Sequence, residues 1–257
     1  MIEYGLAERR AAGASGHRTR RPAPPPRHRD AQLAEDGVGR ELRVTEPQIA
    51  SWQEQLAALA WTPRCLRPEH RRLWDPVTLR HLGIGWDGHR LTIPIRDIDG
   101  HLQGLLRYAP LATRTAKMIA TPGTRLGLIP HPAAEPSRWI VLTEGPPDMI
   151  SARACGMPAL AVPGDQAWDS VWAPGFEDRD VTIVMDADRA GRLAAQRIQR
   201  DLTDVARTVT IADLAPDRQD GYDLTDWLHG HRHLRHHTLQ CMLLPDVLLA
   251  DEDQIAV

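Results

Sequence analysis

The chain is 257 residues long, 42% hydrophobic and 25% charged, with a formal charge of −3, which is ordinary globular composition and enough for one or two small domains. Its cysteines are Cys65, Cys155 and Cys241 alone, too few for a disulfide framework or a four-cysteine zinc ribbon within this chain. No apolar stretch approaches a membrane span and the N-terminus has no signal-peptide core, so no membrane association and a cytoplasmic location are expected.

Seven arginines and no acid fall between Arg9 and Arg29, mixed with Pro22, Pro24, Pro25 and Pro26. Such a segment cannot bury enough surface to fold alone, so residues 1–45 read as a disordered basic arm. It suits a sequence-independent phosphate tether, in which each neutralised phosphate releases counterions, and it equally suits a solvated tail. Residues 46–137 come next. Thr45-Glu46-Pro47 is a capped helix start, and Ile49, Trp52, Leu56, Leu59 and Ala60 recur at helical spacing until Thr62-Pro63. A second helix is expected over Pro76–Leu82, ending at Gly83. The period then changes: Arg90–Arg96 alternates, Asp99-Gly100 signals a hairpin, and Leu102–Tyr108 returns as the partner strand.

From Arg138 the pattern becomes that of buried parallel strands followed by helices. Trp139-Ile140-Val141-Leu142 leads into Glu144-Gly145-Pro146-Pro147-Asp148, and Val181-Thr182-Ile183-Val184-Met185 leads into Asp186-Ala187-Asp188-Arg189-Ala190-Gly191. Both runs are β-rich and nearly continuously apolar, as strands covered on both faces are. Ligands of open α/β sheets collect beyond the carboxyl ends of such strands. Carboxylates crowded there repel one another, so a cluster kept ionised implies a cation, and hard oxygen donors select Mg2+ or Mn2+ over zinc. Helix capping alone accounts for one of Asp186 and Asp188, because an acid at a helix start accepts backbone N–H bonds. It does not account for both together with Glu144.

Glu144-Gly-x-x-Asp148, a strand Ala159–Val162 ending at Pro163-Gly164, and Asp186-x-Asp188-x-x-Gly191 together resemble the Toprim domain of primases, topoisomerases and small nucleases. The resemblance implies a Rossmann-like α/β domain over residues 138–238 with a mainly parallel four-stranded sheet, and a 239–257 tail. It also implies a further acidic site after the fourth strand, for which Asp223-Leu224-Thr225-Asp226-Trp227-Leu228 is the match; Asp226 alternatively caps a terminal helix. The stretch Arg90–Gly100, Gly104–Tyr108 and Lys117–Gly123 is similar to the N-terminal part of the primase RNA-polymerase core, a small α+β subdomain. In that family the arginine after the hairpin and the lysine before the Pro-containing turn face phosphates, which implies such roles for Arg107 and Lys117. Arg96 is a weaker candidate on charge and position. The chain departs from the family at Met118 and Ile119, where a tyrosine and an asparagine often stand.

Lys117 also stands out by itself, because it is the single lysine among 31 lysines and arginines. A compact ammonium approaches a phosphate as a point charge where a planar guanidinium needs a wider site.

The resemblance implies Mg2+-assisted nucleotidyl transfer that makes short RNA primers on single-stranded DNA from NTPs, with a replicative or phage-type helicase as partner. Glu144, Asp186 and Asp188 would be catalytic and metal-holding, and Asp148, Asp223 and Asp226 further metal ligands. The zinc module usual in replicative primases is not encoded here, and a mobile element or phage is the expected source. A Toprim nuclease, which uses the same carboxylates, and a non-catalytic DNA-binding or loading module are the alternatives. A topoisomerase is disfavoured, since Tyr4, Tyr108 and Tyr222 lack the context of a covalent nucleophile. The run His229–His237 offers i, i+4 pairs, His229 with His233 and His233 with His237, for a transition metal, or a solvated cationic helix end. The apolar-acidic stretch Asp246–Asp253 suits either docking on a partner or packing on the sheet.

Overall fold

The computed structural model describes residues 41–59, 74–109, 111–112, 115–164 and 167–243. The greater part of the basic arm and the tail beyond Leu243 therefore lie outside the described residues, as do Thr62-Pro63 and Cys65.

Two four-stranded sheets organise the rest. Helix α1 (Glu46–Ala58) begins at the Thr45 capping box, with Pro47 in its first turn, and α2 (Pro76–His81) begins at Asp75, whose carboxylate accepts the Val77 and Thr78 N–H groups. Strands β1 (Gly85–Trp86), β2 (Leu91–Arg96), β3 (Leu102–Tyr108) and β4 (Met118–Ala120) follow in antiparallel order β1-β2-β3-β4. The expected hairpin is β2–β3, and it turns through Gly100 at φ 83°, a left-handed conformation that glycine adopts without a Cβ clash. Helix α1 lies against β1 so closely that a Cβ on Gly85 would sit 2.8 Å from Trp52 atoms.

The second sheet is wholly parallel. Strands β5 (Trp139–Thr143), β6 (Ala159–Ala161), β7 (Asp180–Val184) and β8 (Thr208–Ile211) run in the order β6-β5-β7-β8. Crossovers between them carry α3 (Pro146–Ala154) and α4 (Arg189–Leu202); α5 (Leu224–Gly230) and α6 (His236–Leu243) follow the last strand. Ile129 extends the sheet beyond β6 through an antiparallel bridge to Ala161. This is the mixed α/β architecture with a parallel four-stranded sheet that the resemblance implies.

Both faces of the parallel sheet are covered, which explains the unbroken apolar strands. Ile140, Leu142, Val181 and Ile183 pack against Phe176 and the α4 residues Ala195, Ile198 and Leu202. On the other face Val141, Ala159 and Val184 join Met149 and Ile150 of α3 and Leu224, Trp227 and Leu228 of α5. That second core continues into Leu91, Ile93, Tyr108 and Trp74, so the antiparallel sheet and the parallel sheet share one apolar interior. At about 25 cal/mol per Å² of buried apolar surface, a shared interior of this kind is a large part of what holds the two sheets together. At the amino ends of β7 and β8, fully buried Asp180 accepts from Thr208 Oγ1 at 2.6 Å and pairs with Arg207 and Arg138.

Among the described residues no helix is long and apolar enough to cross a membrane. The histidine run is not one helix. It spans the end of α5 and the start of α6 with a turn at residues 231–233, so His229 and His233, or His233 and His237, do not form helical i, i+4 pairs. His231 instead stacks near Trp227, 4.5 Å between ring centres.

Candidate metal centre

The carboxyl ends of β5 and β7 are adjacent, because Thr143 and Val184 are register partners. Glu144 and Asp186 therefore leave the sheet side by side, and the Asp186 N–H donates to Glu144 Oε2 at 3.2 Å. Gly191 permits this closeness: a Cβ there would stand 2.4 Å from the Asp186 carbonyl oxygen and 3.0 Å from Glu144 Oε2. Asp188 is the N-cap of α4 and accepts the Gly191 N–H at 2.8 Å. Of the two acids in the Asp-x-Asp motif, one caps the helix and the other does not.

Asp223 arrives from a different part of the chain. The Ala187 N–H donates to the Tyr222 carbonyl at 2.9 Å, which pins the segment after β8 onto the residue between Asp186 and Asp188. The N-cap of α5 is Asp223, which accepts the Asp226 N–H at 2.7 Å; Asp226 lies in the first turn and is not the cap. Asp148, in the first turn of α3, is buried and accepts both the Thr225 N–H at 3.0 Å and the Thr225 hydroxyl at 2.5 Å.

Asp186 feels all of these groups. Its burial, followed by the charges of Glu144, Asp148, Asp223 and Asp188, pushes its carboxyl from an ordinary 3.8 up to about 9. Five acids from three separate connections, those after β5, β7 and β8, thus converge electrostatically, and the neighbouring Tyr222 phenol is raised by its own burial and then by the charge of Asp226. A set built from carboxylates is the donor chemistry of Mg2+ or Mn2+. The convergence is not yet a closed ligand cage. Among the described residues, the group with three ligand atoms within 4.8 Å of one another is Asp97, Asp99 and His101 on the β2–β3 hairpin, two of them exposed. Asp97 is already engaged there by the Asp99 and His101 N–H groups and by Gln103.

The three basic candidates divide sharply. Arg107 is tied to Asp87, 2.6 Å from its Nε, and Asp87 also accepts the Arg90 and His89 N–H groups. Arg96 makes a two-point pair with Glu46 of α1 at 2.7 and 2.9 Å. Lys117 is exposed, and the Arg90 guanidinium holds its carbonyl at 3.0 Å. Sequence reasoning missed the acids Asp87 and Glu46 as partners, since neither pairing follows a helix or strand period. It also missed Thr225 and Ser151, whose hydroxyls lie between two recognised motifs but carry no spacing signal of their own.

Residues 141–226 match the family model described as Toprim-like. Gene 57 protein of Mycobacterium phage D29 is 33% identical over 103 residues, a match covering 38% of this chain and 65% of that protein's length. Among solved structures, the DnaG primase catalytic domain bound to single-stranded DNA superposes with a TM-score of 0.60 at 18% identity, covering 82% of this chain and 79% of the other. The E. coli primase catalytic core gives 0.58 at 19% identity over 77% of each chain. The RNA polymerase domain of Mycobacterium tuberculosis DnaG gives 0.55 at 17% identity over 83% of each. Residues 141–226 are accordingly a Toprim-like domain, set in a chain with the fold of the primase catalytic core.

Proposed function

We propose that this chain is a primase-like nucleotidyltransferase that joins ribonucleotides into short primers on a single-stranded DNA template. The observation that carries the reading is the meeting of Glu144, Asp148, Asp188 and Asp223 around the half-buried carboxyl group of Asp186 at the carboxyl edge of a parallel sheet. Three loops bring acid to one place, at a cost in repulsion that a helix-capping role would not require. The Toprim-like domain and the primase-core fold support the same reading.

Glu144, Asp186 and Asp188 would hold a divalent cation, Mg2+ or Mn2+, with Asp148, Asp223 and Asp226 as outer or second-ion ligands. Bound there, the ion would supply Lewis-acid stabilisation of the charge that develops on the reacting phosphate. The protein's own contribution is orientation. The Asp186 N–H fixes Glu144, and the start of α4 fixes Asp188. Preset acceptors of this kind need no reorganisation as charge moves during phosphoryl transfer. Lys117 would neutralise triphosphate or template backbone as an exposed point charge. Arg107 and Arg96 would serve phosphates from within their pairs with Asp87 and Glu46, each side chain being only partly buried. A helicase of the replicative or phage type would deliver the single strand.

The test is to incubate the pure protein with NTPs, Mg2+ and single-stranded DNA and to size the products. Short oligoribonucleotides that require Mg2+ are the expected result. Shortened DNA would replace the reading with a Toprim nuclease, and retention of DNA with neither product would replace it with a loading module.

A further inference from the structure

Behind the acidic basin runs a buried chain of hydrogen bonds that joins it to the N-terminal part of the molecule. The Trp74 indole N–H donates to Ser151 Oγ at 2.8 Å; Ser151 Oγ lies 2.9 Å from Thr225 Oγ1; the Thr225 hydroxyl donates to Asp148 Oδ1 at 2.5 Å. Trp74 precedes α2, Ser151 lies in α3 and Thr225 in α5, so three separate segments are linked in one chain that ends on the Asp148 carboxylate. Trp74, Ser151, Thr225 and Asp148 are 7%, 0%, 2% and 7% exposed, so bulk water does not compete for these bonds.

The direction of the chain is set by chemistry. An indole nitrogen can only donate, and a hydroxyl has one proton. The Thr225 proton is spent on Asp148, so the Ser151–Thr225 contact requires the Ser151 proton. The Ser151 proton is shared with the Pro147 carbonyl, 3.0 Å from the same hydroxyl, which also receives the indole N–H at 3.2 Å and has a lone pair for each. The chain thus runs from the indole N–H to Asp148, whose Oδ1 is held by both the Thr225 N–H and the Thr225 hydroxyl.

We propose that the Trp74–Ser151–Thr225 chain is a positioning device that fixes the Asp148 carboxylate in the acidic basin, with Thr225 as its key residue and Trp74 as its link to the antiparallel sheet. This rests on the reading of the basin as a divalent-cation site. Partners that orient a ligating carboxylate typically set metal affinity by about 10–100-fold.

The measurement is Mn2+ binding to the full chain, followed by calorimetry at a temperature well below unfolding, with no nucleotide present. Thr225→Val keeps the side-chain shape and removes the hydroxyl. It is expected to weaken Mn2+ binding by about 10-fold or more, and Thr225→Ser is expected to restore it. Trp74→Phe, which alters no group in the basin, should weaken binding in the same direction by a smaller factor, and it serves as the test if Thr225→Val does not fold. Wild-type binding that Glu144→Gln abolishes but Thr225→Val, or in its place Trp74→Phe, leaves unchanged would overturn the positioning role while sparing the cation site. Absence of Mn2+ binding by the wild type would overturn both.

Discussion

Asp186 carries the clearest electrostatic signature in the molecule. Its carboxyl is held at about 9, above its ordinary 3.8, chiefly by burial and then by Glu144, Asp148, Asp223 and Asp188. In metal-free protein the folded state therefore keeps a proton that the unfolded chain releases. Stability from this group is full below pH 3.8 and is lost as pH rises toward about 9. Asp186→Asn should remove that loss. At pH 8 the metal-free variant is expected to melt above the wild type, and the gap should close toward pH 4, as scanning calorimetry would show. A variant melting no higher at pH 8 would mean that Asp186 is not crowded by its neighbours. In the presence of Mg2+, the same variant and Glu144→Gln should each lose ribonucleotide incorporation by about 10²–10³-fold, the scale for one group acting on transition-state charge, with far-UV circular dichroism unchanged. For Lys117, near-normal synthesis by Lys117→Arg would remove any special role for the ammonium.

At the scale of single elements, helix α4 lets structure and chemistry be separated. Asn caps a helix as well as Asp does, so Asp188→Asn should keep thermal stability within a few tenths of a kcal/mol yet lose activity, whereas Asp188→Ala should lose activity together with about 1 kcal/mol of stability. Equal activity for Asp188→Asn and wild type would reduce Asp188 to a cap. Strands β7 and β8 supply the converse case at their far ends. Asp180→Asn leaves Arg207 and Arg138 without their carboxylate partner and should cost about 1–3 kcal/mol in urea unfolding while leaving Mn2+ affinity unchanged.

These elements were readable from the sequence to differing degrees. The hairpin β2–β3 was legible because alternation and Asp99-Gly100 are local signals, and strands β5 and β7 because burial on both faces makes them continuously apolar. Strand β1, two residues long, was not, because its place depends on the approach of α1 to Gly85. In the acidic site, Glu144, Asp186 and Asp188 follow from motif spacing. That Asp223 and not Asp226 caps α5, and that Thr225 grips Asp148, depends on a bridge between Ala187 and Tyr222 that no local pattern encodes. Arg96 and Arg107 show the same boundary, since their charge was evident but their acidic partners come from distant segments.

Across the whole molecule, a parallel sheet and an antiparallel sheet share one interior, and the acidic basin lies at the carboxyl edge of the first. The buried chain from Trp74 to Asp148 makes that basin dependent on the segment entering the antiparallel sheet. Among the described residues two places compete to hold a hard cation: the basin, whose acids come from three loops, and the hairpin group Asp97, Asp99 and His101, whose ligand atoms are closer together but largely solvent-exposed. Their difference makes one experiment decisive for the central claim. Crystals soaked in Mn2+ and measured at the manganese absorption edge should show an anomalous peak between Glu144, Asp186 and Asp188. A peak at the hairpin alone, or none beside Glu144, would contradict the account.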